Sequence, residues 1–464
     1  MTRDLFSEFS PSSKQAWLDQ VARELKGKDL SHTLQSKLWD RIELEAFYTS
    51  EDIDSKQPEN QLKFHSDSEI PGMPPRIWSN LISVFPDDTN DFVINALSNG
   101  AEGLVLHLYG MEDLEELLKG VLPQYISILV KPLGNPVMAL KSFFEWVDST
   151  ETSPDLITGG LLWTPSDLVF DHNESYGIAL DTLKELFEMA EPYPNFKAFS
   201  INTSRYFESG GNPLDAVVFG LGELIEIIDG IGLEPAQIFQ KIMIEASVGD
   251  AHFGEIARLK SLRILVSELA GLYGLEVQTE DLVLLSSTSS WSKSILDAHT
   301  NLIRQTYEAM ASVLGGANLI WVKPIQEDSA SSRDRRIARN VSSILKEEAY
   351  LDKVKDPAAG SYFLGKLIEK TTETIKSGLQ QLESEGGWQA ALESGEIHRQ
   401  VRVHRQKIQN DVADSRISKI GVNKYPASEK LKYNLEFEVF EEKSFELKPS
   451  RAAYLFELQT LNQP

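Results

Sequence analysis

Phe196-Lys197-Ala198-Phe199-Ser200-Ile201-Asn202 is followed, ten residues on, by Pro213-Leu214-Asp215-Ala216-Val217-Val218-Phe219-Gly220-Leu221-Gly222-Glu223-Leu224-Ile225-Glu226-Ile227-Ile228-Asp229. The first stretch is short, apolar and aromatic, as a buried strand is. The second is long enough for a helix and opens on a proline, which a first helical turn accepts. A second helical stretch, 254–273, places Ile256, Leu259, Leu262, Leu265, Val266, Leu269 and Leu272 mostly three or four apart. That spacing puts them on one helix face.

The same alternation runs outward in both directions. Strands are expected at 81–85, 103–108, 125–130, 156–162, 196–202, 282–287 and 319–322, with an eighth between 222 and 254. Helices are expected at 111–119, 136–147, 177–190, 213–229, 254–273, 296–313 and 333–345. Repeated strand–helix units imply a parallel sheet covered by helices. About eight units favour an α/β fold of the (β/α)8 TIM-barrel type, with a doubly wound open sheet as the alternative that periodicity leaves open. Residues 1–75 read as an N-terminal arm and linker, with a helix at 13–26 and a polar stretch after Asp52. Residues 76–385 read as the barrel domain, and 386–464 as a C-terminal extension. In that extension 433–440 alternates apolar and charged residues, as an edge strand or strap would.

Composition narrows the function classes. The 464 residues carry a net charge of -25 and no cysteine. Disulfides and thiolate chemistry are excluded, and a reducing compartment fits. The acidity disfavours nucleic acid as a partner. No apolar run is long enough to span a bilayer and no signal peptide is evident, so the chain reads as cytoplasmic.

Several ordered motifs resemble the methylmalonyl-CoA mutase family. Ala46 to Ile53 (AFYTSEDI) is similar to the family's PLYTxEDV. Phe199 to Asn202, Glu208-Ser209-Gly210-Gly211 and Gly254 to Lys260 (GEIARLK) resemble its strand, EAGA-like turn and EIAKLRAAR-like helix. Ser289-Ser290-Trp291-Ser292 resembles SGWS, Asp356 to Tyr362 (DPAAGSY) resembles DPxxGSYY, and Gly421 to Tyr425 is GVNKY. The resemblance implies interconversion of methylmalonyl-CoA and succinyl-CoA by radicals that adenosylcobalamin generates.

At the positions that carry this chemistry the chain departs from the pattern. The family's Tyr-His after the strand matching 199–202 is here Ser204-Arg205. A guanidinium is permanently charged and cannot act as a neutral imidazole. In the stretch matching THSQTSGWS, Leu285 stands in the histidine's place. No arginine lies between Leu161 and Pro194, where the family clamps the substrate carboxylate. The tyrosine-bearing TxRQYAG has only Pro74-Pro75-Arg76-Ile77-Trp78 roughly in its place.

The lower axial cobalt ligand of the family lies in an Asp-x-His-x-x-Gly loop of a separate cobalamin domain. Among the eight histidines, Asp250-Ala251-His252 has its glycine one place early and Asp297-Ala298-His299 has none. Both read as ordinary helix residues, and no cobalamin domain is expected after Tyr425. The expectation is therefore a catalytically silent small subunit that binds no cofactor or metal itself. It would pair with a large subunit in an adenosylcobalamin-dependent isomerase complex. Two other functions remain open: the substrate barrel of a split acyl-CoA mutase, and a stand-alone acyl-CoA binding protein.

Ser204, Arg205, Leu285, Ser287, Trp291 and Lys323 are the candidate remnants of a barrel-mouth site. Arg205 and Lys323 could contact an anion there, although surface ion pairing is the simpler reading. The hydroxyl run Ser286 to Ser290 could line a remnant of the family's pantetheine channel. The simpler reading is a turn capped by Ser and Thr before the next helix. Gly220-Leu221-Gly222 lacks a third glycine and lies within a helical pattern, so it is no dinucleotide fingerprint. Gly315-Gly316 reads as a helix end.

Overall fold

Polar caps set the helices of this chain. Thr89, Asn135, Ser175, Asn212, Asp297 and Ser331 each accept a hydrogen bond from a backbone amide of the helix that follows. Pro136, Pro165, Pro213 and Pro235 occupy first turns, where no amide donor is needed. A computed structural model describes residues 13–53, 62–68, 70–426, 437 and 439–461.

Between these helices run the strands. After a small antiparallel hairpin, β1 (Ser36–Leu38) with β2 (Ile42–Leu44), come β3 (Ser79–Val84), β4 (Gly103–Leu108), β5 (Ser127–Pro132) and β6 (Thr158–Leu161). They continue as β7 (Phe196–Lys197), β8 (Phe199–Asn202), β9 (Ile242–Val248), β10 (Leu284–Thr288) and β11 (Leu319–Trp321). From β3 onward all pairings are parallel, in the order β7-β6-β5-β4-β3-β11-β10-β9-β8.

The two ends of that sheet, β7 and β8, are one chain stretch interrupted only at Ala198, whose amide bonds to Lys241 O at 2.8 Å. Ser200 N donates across the seam to Trp163 O at 3.0 Å. The sheet therefore meets itself, as a TIM-like barrel does, and the open-sheet alternative falls away. The eighth strand expected between 222 and 254 is β9.

Two apolar layers follow from the strand alternation. One packs between barrel and helices, from Ile82 and Val84 on β3 to Ile320 on β11. The other fills the barrel: Leu81, Val105, Leu129, Leu162, Met243, Leu285, Leu319 and Trp321, all buried. The helix His252–Leu272 differs from its expected one-sided character. Glu255, Arg258, Lys260 and Arg263 are buried along with its apolar face. The reason is a second shell of structure. Helix Tyr362–Ser384 lies over it, with Ser261 donating to Ile368 O at 3.2 Å and accepting from Thr372 at 2.9 Å.

The N-terminal helix is observed at Lys14–Glu24. The polar stretch at 54–61 and most of 433–440 lie outside the described residues. Residues 439–461 cross the end of the barrel. Ser450 N bonds to Glu208 O at 2.8 Å and Ala452 N to Trp291 O at 2.9 Å. No helix among the described residues is long and apolar enough to cross a membrane.

Candidate functional site at the barrel mouth

Inward positions at the C-terminal ends of parallel strands converge on the barrel mouth. Here they supply Ser83 (β3), His107 (β4), Lys131 (β5), Ser200 (β8), Glu245 and Ser247 (β9), Ser287 (β10) and Trp321 (β11). Trp321 occupies the centre. It is 1% exposed, and its Nε1 donates to Ser83 Oγ at 3.0 Å and to Glu327 Oε1 at 2.9 Å. The His107 ring stacks on Phe85 at 4.2 Å and meets Trp321 edge-on at 6.0 Å. Two lysines flank the indole: Lys131 Nζ lies 5.1 Å and Lys323 Nζ 5.0 Å from its ring.

Burial governs the charges of this layer. It pushes the Glu245 and Glu327 carboxyls above their ordinary range. For Glu208 burial acts the same way, but Lys323 and the Ser290 hydrogen bond outweigh it and hold the carboxyl low. Burial, with Lys131, Lys323 and Arg335 nearby, drives the His107 imidazole down to about 2. That ring is neutral at any physiological pH, and its Nε2 has no hydrogen-bond partner.

The sequence candidates fall into three places. Ser204 and Arg205 lie on the helix Thr203–Glu208, started by Asn202, whose Oδ1 accepts from Arg205 N at 3.0 Å. Ser204 is buried and its Oγ is unpartnered. Arg205 is locked between two carboxylates: Nε to Asp167 at 2.9 Å, and a fork to Asp171 with both distances 2.8 Å. It pairs as the simpler reading expected, but largely buried rather than on the surface.

Leu285 and Ser287 lie inside the barrel. Leu285 belongs to the apolar fill and Ser287 Oγ meets Ser247 Oγ at 3.0 Å. Trp291 lies under the C-terminal crossing. Glu208 joins the groups together: it accepts from Ser290 N at 3.0 Å and lies 4.0 Å from Lys323.

The hydroxyl run corrects the simpler reading in part: Ser289 does cap a turn, its Oγ accepting from Trp291 N at 2.9 Å, but the residues before it do not. Ser286, Ser287 and Thr288 are strand residues of β10, and the following helix Ala298–Leu314 is capped by Asp297. Ser286 Oγ is turned to Ser312 at 2.8 Å, and Thr288 Oγ1 accepts from Lys323 N at 2.8 Å. The run is spent on the protein's own hydrogen bonds. Gly220 and Gly222 are buried inside the helix Pro213–Gly230, and Gly315 caps the end of its helix.

Sequence reasoning missed His107, Lys131, Glu245, Glu327 and the central Trp321. The available signal was the alternation along each strand, which assigns Leu285 and Ser287, or Val105 and His107, to one face. What that face meets depends on strands far away in the chain.

Beside the mouth, Lys131, Trp163, Asn202, Arg205 and Glu245 line a hollow of about 250 Å³. Below it the axis is packed with leucine, valine and methionine. The geometry can hold a small polar group at the rim, and among the described residues the axis below it is filled by apolar side chains.

Comparison with known proteins adds four findings. The profile of the family described as methylmalonyl-CoA mutase matches residues 97–459. A Porphyromonas gingivalis protein named methylmalonyl-CoA mutase small subunit is 26% identical over 442 residues, covering 91% of this chain and 71% of that protein. A Streptomyces virginiae protein of the same name is 26% identical over 453 residues, covering 91% and 72%. An Escherichia coli methylmalonyl-CoA mutase is 31% identical over 255 residues, covering 53% and 35%.

Proposed function

This chain belongs to the methylmalonyl-CoA mutase family, and on that premise we propose that it is the noncatalytic small subunit of a heterodimeric mutase. Its role is to stabilise an adenosylcobalamin-dependent large subunit that interconverts methylmalonyl-CoA and succinyl-CoA in the cytoplasm. The filled barrel carries this reading. An acyl-CoA substrate needs a channel for its pantetheine arm, and Leu81, Val105, Leu129, Met243, Leu285 and Trp321 occupy that space here. The changed catalytic positions support it. Arg205 satisfies two aspartates rather than facing a thioester, and Leu285 is apolar fill.

The histidines support it too. A cobalt-ligating imidazole needs a free nitrogen and a carboxylate behind its other one. His252 Nδ1 faces Tyr307 O at 3.2 Å, and Asp250 is paired with Lys419 at 2.8 Å instead. The Asp250–His252 pair does not fit the ligand role, and no step is assigned to cobalamin on this chain. The names of the two small-subunit relatives point to the same partner, a large subunit.

Coexpression with a catalytic large subunit, followed by size exclusion at micromolar concentration, tests the reading. Coelution as a heterodimer, with no turnover by this chain alone, is expected. Separate elution, or turnover of methylmalonyl-CoA by this chain with added adenosylcobalamin, would sink it.

A further inference from the structure

Away from the barrel axis, a cleft of about 280 Å³ opens between helices Asn90–Ser98 and Ser332–Glu347. Its floor is apolar, from Ile82, Phe92 and Val322, and its rim carries Arg333, Arg336 and Arg339. These three arginines stand three residues apart on one helix face. Like charges at that spacing repel, and cations in the first turns oppose the helix dipole. In a chain with net charge -25, carboxylates to pair them are plentiful, yet none of the three has an ion-pair partner among the described residues.

Arg339 is the decisive residue. It is only 9% exposed, and its Nε is buried without a hydrogen-bond partner. Burial and the neighbouring Arg336 both disfavour its charged form. A buried guanidinium N–H left without an acceptor is costly. Its neighbour Arg335 shows the contrast: it is forked onto Asp88, both distances 2.7 Å, and stacked on Phe92 at 4.0 Å. Glu327 also borders the cleft, but its carboxylate is engaged by Ser83 and Trp321 on the barrel side.

We infer that this cleft is a binding site for a small phosphorylated anion, a diphosphate held by Arg333, Arg336 and Arg339. Guanidinium forks match phosphate oxygens, and three converging on one cleft suit a polyanion better than a single carboxylate. The nearby N-terminus of helix Ser332–Glu347 adds amide dipoles of the same sign. The site is independent of the barrel axis and does not rest on the subunit role proposed above.

Two sources of the diphosphate are separable by calorimetry on the full chain, with inorganic pyrophosphate and with ADP as probes. Saturable binding of at least one is expected, weakened about tenfold or more by Arg339→Gln and by Arg336→Gln separately. Tighter binding of ADP would place a base on the Phe92 floor; equal binding would assign the site to the phosphates alone. Arg336 is exposed, so its variant serves if Arg339→Gln fails to fold. No saturable binding of either probe to the wild type, or unchanged affinity in the folded variants, would overturn the proposal.

Discussion

At the scale of the residue, two buried charges set the strongest expectations. Arg205 is the only described cation that pairs with Asp167, and it reaches Asp171 as well. Asp167 is buried, whereas Asp171 is about half exposed. Replacing Arg205 with Gln strands Asp167 and should cost roughly 3 kcal/mol. Asp171→Asn should cost under about 1 kcal/mol. Urea denaturation of both variants checks the ordering, and equal losses would contradict it.

Glu223 gives the pH dependence. Burial pushes its carboxyl up to about 7, against hydrogen bonds from Ser166 N at 2.8 Å, Thr164 at 2.8 Å and Ser166 Oγ at 2.9 Å. The folded protein therefore holds this proton where the unfolded chain has released it. Its stabilising effect is complete below the ordinary carboxyl value and fades as pH rises toward 7. Glu223→Gln keeps the shape without the charge. Relative to wild type it should gain on the order of a few kcal/mol in going from pH 5 to pH 8. A pH-independent difference in denaturation midpoints would show that Glu223 is not the titrating group.

At the scale of the element, strand β6 is the tightest place in the barrel. Gly159 has φ of +134°, and a Cβ there would sit 1.8 Å from Ile128 O on β5. Both the backbone conformation and the close approach require glycine. Gly159→Ala should cost roughly 3 kcal/mol or more, or prevent folding. A thermal melt within about 1 °C of wild type would refute it, since a loss of about 3 kcal/mol, set against an unfolding entropy of roughly 2 cal/mol/K per residue, moves the Tm of a chain this long by ~3 °C or more. The neighbouring helix Pro213–Gly230 was legible in the sequence to within a residue, because its proline start and apolar run are local. The burial of Arg258 and Arg263 on helix His252–Leu272 was not. Arg263 donates to Leu282 O at 2.7 Å, Gly316 O at 2.9 Å and Asn318 Oδ1 at 2.6 Å. Those acceptors come from the segments flanking β10 and β11, and no spacing within the helix announces them.

At the scale of the whole molecule, the C-terminal crossing ties the outer helices to the barrel. Arg405 pairs with Glu442 at 2.6 Å, Glu457 accepts from Ile295 N at 3.1 Å, and Arg451 holds Glu457 at 2.9 Å. Trp388 is fully buried and donates to Tyr206 at 3.1 Å. Deleting 439–461 uncovers Trp291 and Ile295 and leaves Arg405 without its carboxylate. The shortened chain should melt lower and be cleaved faster by protease in the 386–426 helices. An unchanged melt would instead support 386–464 as a unit separable from the barrel.

The run of strands and helices, the absence of cysteine chemistry and the altered family positions follow from the order of residues alone, because composition and spacing are local properties. Closure of the sheet at Ala198, Trp321 at the mouth, Arg205 against Asp171 at 34 residues' separation and the unpaired Arg339 were settled only in three dimensions. Each depends on groups that are distant in the chain and adjacent in space, and such meetings leave no periodic trace in the residues on either side.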